Sequence, residues 1–263
     1  MTRLDKEFED FFRECSRADP AAKRELPLPA STVALIATTL ALGGPRYRTG
    51  AQLVVLAYFF MLRVGEYTPP SNKRRPKLTV ALRKCDIVLH LSGRPLPPDA
   101  PWSDMLRADG VAICLANQKN GTKDQTLYHE KGLGLMDPVV AAANLLQEIR
   151  GLPAHTPIGT FRGVSGWDSV TDRDILALIR RGAIADGLPA LGFDPALLGT
   201  HSLRIGGATR LAMLGISEAV IKQLGHWSAE TWQLYVRPHI SGFTKGLARL
   251  MANPLRFSNV RVR

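Results

Sequence analysis

The chain has 263 residues, 45% of them hydrophobic, which is enough for one sizeable packed core and too apolar for a disordered protein. A formal net charge of +11 favours a polyanionic partner, of which nucleic acid is the commonest. Three scattered cysteines, Cys15, Cys85 and Cys114, form no CxxC pair, which argues against a disulfide framework and a cysteine zinc site and fits a reducing compartment.

In chain order, Leu4 to Cys15 has the spacing of a short amphipathic helix, with Leu4, Phe8, Phe11 and Phe12 on one side. Residues 18–29 are polar and proline-containing and read as a linker. Ser31 is the expected N-cap of a helix to Leu42, stopped by Gly43 and Gly44. Residues 51–64 read as a buried helix; the apolar run is too short for a bilayer and ends at Arg63. A basic loop follows, with Lys73, Arg74, Arg75 and Lys77 as candidate phosphate-backbone contacts. Strands are expected at residues 87–91, 111–116 and 125–128, with Asn120-Gly121 as a hairpin turn between the last two. Lys119 and Lys123 flank that turn. Asp137 should cap a helix running to Arg150, and Thr171 with Asp174 forms a capping-box pattern for a helix ended by Gly187. Three further helices are expected at residues 202–214, at 217–224 and from Ser228 past Tyr235. Strands clustered between helical runs give an α+β class: mostly helical, with one small antiparallel sheet.

The stretch from Thr200 to Val236 carries the chemistry. It holds His201, Arg204, His226 and Tyr235, and the first two share a helix face. Cations, imidazoles and one phenol suit a site that binds a phosphate while a tyrosine attacks it. Preorganised donors stabilise the charge that grows on the non-bridging oxygens. An arginine fork matches those oxygens better than an ammonium does.

The ordered motifs H-S-L-R, G-H-W-S and the later Tyr235 resemble the catalytic domain of tyrosine recombinases, the phage integrase family. The wording HSLRIGGAT is closest to recombinases of DIRS-type and Crypton mobile elements, with Ile205 where many bacterial members have a polar residue. Several expectations follow from this resemblance. The fold would be a helical catalytic domain with a small sheet, over residues 29–241. Residues 1–28 would be a remnant of, or link to, a core-binding domain, and the tail 242–263 would contact another protomer. Arg63, in L-R-V-G-E-Y, would be the first phosphate clamp, with Glu66 as its acid, and Arg204 the second. His201 would relay the tyrosine proton and His226 would donate to a non-bridging oxygen. Lys119 would protonate the departing 5′ oxygen, with Lys123 as rival and DNA contact. Tyr235 would be the nucleophile, giving a 3′-phosphotyrosine without metal or cofactor. These residues would line one open basic groove. The implied partner is double-stranded DNA, bound by a homo-tetramer that is monomeric when free. No membrane is involved, and the place of action is intracellular, in the nucleus or the nucleoid. The competing readings are a type IB topoisomerase, which shares the chemistry, and a non-catalytic DNA-binding module built on a helix-turn-helix at residues 202–224.

Overall fold

A computed structural model describes residues 25–69, 79–117, 123–132, 134 and 136–227. The architecture is α+β. Its centre is an apolar helix, and the other elements pack around it.

Helix α1 is Ala30–Thr38, followed by a 3-10 turn at Leu40–Gly43. Its N-cap is Pro29 rather than Ser31, whose hydroxyl donates instead to Asp186. Residues 25–29 are not a loose linker: Leu26 and Leu28 donate backbone hydrogen bonds to Leu197 and Ser202, and Leu28 is buried. Helix α2 is Pro45–Phe59, beginning earlier than the apolar run because Pro45 is preorganised for the first turn after Gly44 (φ 105). Its residues 53–58 are buried on every side, which makes it the core helix. Each large side chain there contributes on the order of 2 kcal/mol through burial.

The first sheet contains β1 (Ile87–Leu91), β2 (Arg94–Pro95), β3 (Gly110–Asn117) and β4 (Lys123–Glu130), in the order β2-β1-β3-β4, all antiparallel. Asn117 pairs with Lys123, so β3 and β4 form the expected hairpin, although its turn falls outside the described residues. Between β2 and β3 lies a short helix, α3 (Trp102–Arg107), which the sequence pattern did not announce. Helix α4 is Pro138–Glu148, with the Asp137 carboxylate accepting from the Val139 and Val140 amides. A second hairpin, β5 (Thr160–Gly163) with β6 (Gly166–Ser169), was also unforeseen. Helix α5 (Asp172–Ala185) starts with the Thr171/Asp174 capping box and stops before Gly187, which has φ 75.

Helices α6 (Ser202–Met213) and α7 (Glu218–Leu224) end the described chain, joined through Gly215 at φ 75. The helix expected beyond Ser228 and the one at residues 4–15 lie outside the described residues. Helix α6 packs very closely. A Cβ on Gly206 would collide with the Leu28 carbonyl oxygen, and one on Gly207 would meet the Tyr58 carbonyl oxygen at 2.5 Å. The glycine pair in S-L-R-I-G-G-A-T thus sets α6 against the end of α2 and the 25–29 strap, and carries Arg204 to the point where α2 stops.

Candidate active site

Three elements meet at the C-terminal end of α2. After Phe59 the chain turns sharply at Met61, whose φ of 48 lies in the left-handed region that a branched or bulky residue seldom adopts. That turn aims the Met61 carbonyl inward, where it accepts from Arg204 Nη1 at 2.5 Å. A 3-10 turn at Val64–Glu66 then folds Glu66 back onto Arg63. The carboxylate accepts from the Arg63 amide at 2.7 Å and from Arg63 Nη1 at 2.8 Å.

From the other side comes the turn after α7. His226 has φ 44, the second left-handed non-glycine residue at this site. Its Nε2 lies 3.0 Å from Arg204 Nη1 and 3.3 Å from Glu66 Oε2. Arg204 Nη2 donates to the Gly225 carbonyl. The result is a continuous polar chain, Arg63–Glu66–His226–Arg204, built from the end of α2, the 225–227 turn and α6. Within it Arg204 and Glu66 are buried at 0% and 1% exposure, while the Arg63 side chain keeps 21%.

Burial opposes the Glu66 charge, but the hydrogen bond and charge of His226, then those of Arg63, outweigh it and hold the carboxyl down at about 2. His226 shifts the other way for a histidine beside a carboxylate. Its burial, with help from the Arg204 and Arg63 cations, pushes it below the ordinary imidazole value against the pull of Glu66. One nitrogen cannot both accept from Arg204 and donate to Glu66. A guanidinium only donates and a carboxylate only accepts, so Nε2 accepts from Arg204 in the neutral ring and donates to Glu66 in the protonated one, and Nδ1 carries a proton in both. Nδ1 is buried and finds no hydrogen-bond acceptor among the described residues.

Of the residues expected at the site, the structure brings together Arg63, Arg204 and His226. His201 stands at the N-cap position of α6, one turn ahead of Arg204, with its amide donating to Glu25. Lys123 opens β4. Lys119, Tyr235 and the basic residues Lys73, Arg74, Arg75 and Lys77 lie outside the described residues. The open groove is corrected in one respect. Arg204 is not on an open surface, because the 225–227 turn folds over it and Trp227 lies across its guanidinium, 4.2 Å from Cζ to the ring centroid. The sequence announces neither this stack nor the part played by the Met61 carbonyl. Glu66 was visible as the acid three residues after Arg63, but not as the group that joins Arg63 to His226. Among the described residues, no group of three or more His, Cys, Asp or Glu is placed to hold a metal, and no helix is long and apolar enough to cross a membrane.

No protein-family model matches the chain, and no curated protein matches it in sequence. Solved structures do match. XerA recombinase is 17% identical, with 88% of this chain and 66% of that chain aligned at a TM-score of 0.50. The Tn1549 transposon integrase in complex with a circular intermediate DNA is 14% identical, with 88% and 68% covered at 0.48. The same integrase with transposon right end DNA is 15% identical, with 89% and 68% covered at 0.46. The chain spans about two thirds of the length of each of these chains. At such identities the likeness is one of fold: this chain has the α+β fold of a tyrosine recombinase catalytic domain.

Proposed function

We propose that this chain is a DNA strand transferase of the tyrosine recombinase kind, acting on double-stranded DNA in the manner of a site-specific recombinase or integrase. The observation that carries the reading is the joining of Arg63, His226 and Arg204 through Glu66 at the end of α2. Two guanidinium groups and an imidazole with an unused Nδ1–H form a preorganised set of donors for a phosphodiester in its transition state. Arg63, the most exposed of the three, meets the phosphate first. Arg204 supplies fixed positive charge behind it, and His226 offers its Nδ1–H to a non-bridging oxygen.

Tyr235 is the nucleophile in this reading, and the other four tyrosines support it by their positions. Tyr58 and Tyr67 are buried, with burial raising the Tyr58 phenol to about 12 and the Tyr67 phenol still further, so neither ionises readily. Tyr47 sits at the start of α2, roughly 20 Å from the site by helix rise, and takes a hydrogen bond from Arg181. Tyr128 points to the opposite face of β4 from His129, whose Nε2 meets the Phe59 carbonyl at 3.0 Å. Attack by Tyr235 forms a 3′-phosphotyrosine bond and breaks the bond to the 5′ oxygen. The departing 5′ oxygen takes its proton from Lys119 or, across the turn, Lys123. His201, on α6 beside Arg204, accepts the tyrosine proton. Strand exchange follows when another 5′-hydroxyl attacks the phosphotyrosine. It takes place intracellularly, with protomers assembled as a tetramer on DNA through the tail 242–263. Lys73, Arg74, Arg75 and Lys77 hold the DNA backbone, and the mobile-element branch of the family fits HSLRIGGAT.

The test is a nicked DNA duplex that loses its short 5′ fragment on cleavage. The wild-type protein should become covalently attached to the labelled strand, and the adduct should survive denaturing electrophoresis. Tyr235→Phe should abolish it while leaving DNA binding intact. An adduct that persists in Tyr235→Phe, or none with wild type, would overturn the reading.

A further inference from the structure

We propose that Trp227 is a positioning residue for Arg204, holding the guanidinium in the plane that fixes its positive charge behind Arg63; the inference rests on the strand-transferase reading above. Three consecutive residues touch this one group. The Gly225 carbonyl takes Nη2, His226 Nε2 takes Nη1, and the Trp227 ring covers the face at 4.2 Å. From the opposite side of the site the Met61 carbonyl takes Nη1 as well. The edge contacts fix where the nitrogens lie, and a partner on the face opposes tilting of the guanidinium about the line between them. An indole is the strongest such partner, because its ring quadrupole attracts the cation across its whole surface.

The backbone is shaped for this contact. Gly225 closes α7, and a Cβ there would collide with the Trp227 ring, so glycine is required for the indole to fold back. His226 takes its left-handed conformation between them, and the Trp227 amide donates to Lys222, which fastens the returning turn to α7. Trp227 is 9% exposed, so it presents little surface to a ligand of its own. Its large area is spent on Arg204 and on the small cluster of Met61, Ala208 and Ile221.

Substitution at Trp227 separates positioning from mere packing. Trp227→Phe keeps an aromatic face, whereas Trp227→Leu keeps apolar bulk without one. With the nicked DNA substrate at saturation, Trp227→Leu should slow adduct formation about 30-fold, the equivalent of a desolvated cation–π contact. DNA affinity should change less than about twofold. Trp227→Phe should recover most of the rate. Equal rates for Leu and wild type, or a Phe variant as slow as Leu at the same folded fraction, would overturn the proposal. If the wild type itself forms no adduct, the strand-transferase reading fails and the stack is judged by folding alone. Trp227→Leu and Arg204→Met should then be strongly non-additive in urea unfolding while Trp227→Phe and Arg204→Met are less so; additivity in both cycles would remove the stack.

Discussion

Glu66 and His226 stand 160 residues apart in the chain yet meet inside it, Oε2 to Nε2 at 3.3 Å, both side chains almost wholly buried. Glu66 is the only carboxylate bonded to this cluster among the described residues, and it binds Arg63 through both main chain and side chain. Glu66→Gln keeps the shape and removes the charge. It removes a buried anion from a cluster that holds two guanidinium groups, and turns one acceptor of the Arg63 pair into an amide. Loss of one partner in a buried ionic group costs about 3 kcal/mol. Urea unfolding should show a fall of that size; a loss below about 1 kcal/mol would mean that Glu66 is not the countercharge of the site.

Acid should destabilise the protein, and the sign follows from two shifts. His226 is held below its ordinary value in the folded state, so as pH drops below about 6.5 the unfolded chain takes up a proton that the folded one resists. His129, buried beside the Phe59 carbonyl, is lowered for the same reason and adds to the trend. Glu66 is lowered to about 2, so its contribution is present above the ordinary carboxyl value and is lost as pH falls from there towards 2. Stability should thus decline in two stages, first through the histidine range and then through the carboxylate range. His226→Gln should flatten the first stage in melts recorded between pH 7.5 and 5. An unchanged slope in that variant would assign the decline elsewhere.

Two glycines near the site, Gly206 on α6 and Gly65 after Arg63, should respond differently to an added methyl group. Gly206→Ala places a methyl group against the Leu28 carbonyl oxygen, a backbone atom that cannot move aside without shifting the 25–29 strap. Gly65 has open space around the same atom and no left-handed conformation to preserve. Overpacking at Gly206 should cost about 1–3 kcal/mol, while Gly65→Ala should stay within about 0.5 kcal/mol of wild type. Equal thermal melts for both variants would contradict the close approach of α6.

Much of this fold was legible because its signals are local. The Asp137 cap, the Thr171/Asp174 box, the stops at Gly187 and Gly215 and the β1 boundaries all follow from a few neighbouring residues. The elements that were missed have weak local signals. Hairpin β5–β6 alternates poorly and turns at Val164–Ser165, and α3 is only six residues long. Ser31 misled because a tertiary acceptor, Asp186, claimed its hydroxyl. At the site, residue types and order singled out Arg63, Arg204 and His226, which the fold links through Glu66. The covering of Arg204 was not legible, since it depends on two left-handed residues, Met61 and His226, and few non-glycine residues adopt that conformation.

DNA binding should depend steeply on salt. The chain carries +11 formal charges, and phosphate contacts release counterions on binding. Affinity should drop by about tenfold or more between roughly 50 and 200 mM salt if several phosphates are neutralised. Combined substitution of Lys73, Arg74, Arg75 and Lys77 by alanine should weaken binding and reduce the slope. A flat filter-binding titration would argue against a backbone-dominated interface, and an unchanged slope in the variant would move that interface off this loop.

The division of labour between clamp and acid can be read from the leaving group. Arg204 holds Met61, Gly225 and His226 through two nitrogens at once, a geometry that a single ammonium cannot reproduce. Arg204→Lys should therefore slow adduct formation by at least about 100-fold despite its retained charge, the scale seen on losing one preorganised donor to a developing oxyanion. A 5′-bridging phosphorothiolate replaces the basic alkoxide with a thiolate that leaves without a proton. It should rescue a variant lacking the acid and fail to rescue one lacking a clamp. Lys119→Ala should cleave the thiolate substrate at close to the wild-type rate, whereas Arg204→Lys and Arg63→Ala should remain slow on it. Rescue of Lys123→Ala in place of Lys119→Ala would move the acid to the first residue of β4. Failure of both to respond would place the proton donor outside this hairpin altogether, while rescue of Arg204→Lys would mean that Arg204 serves the leaving group and not the phosphate.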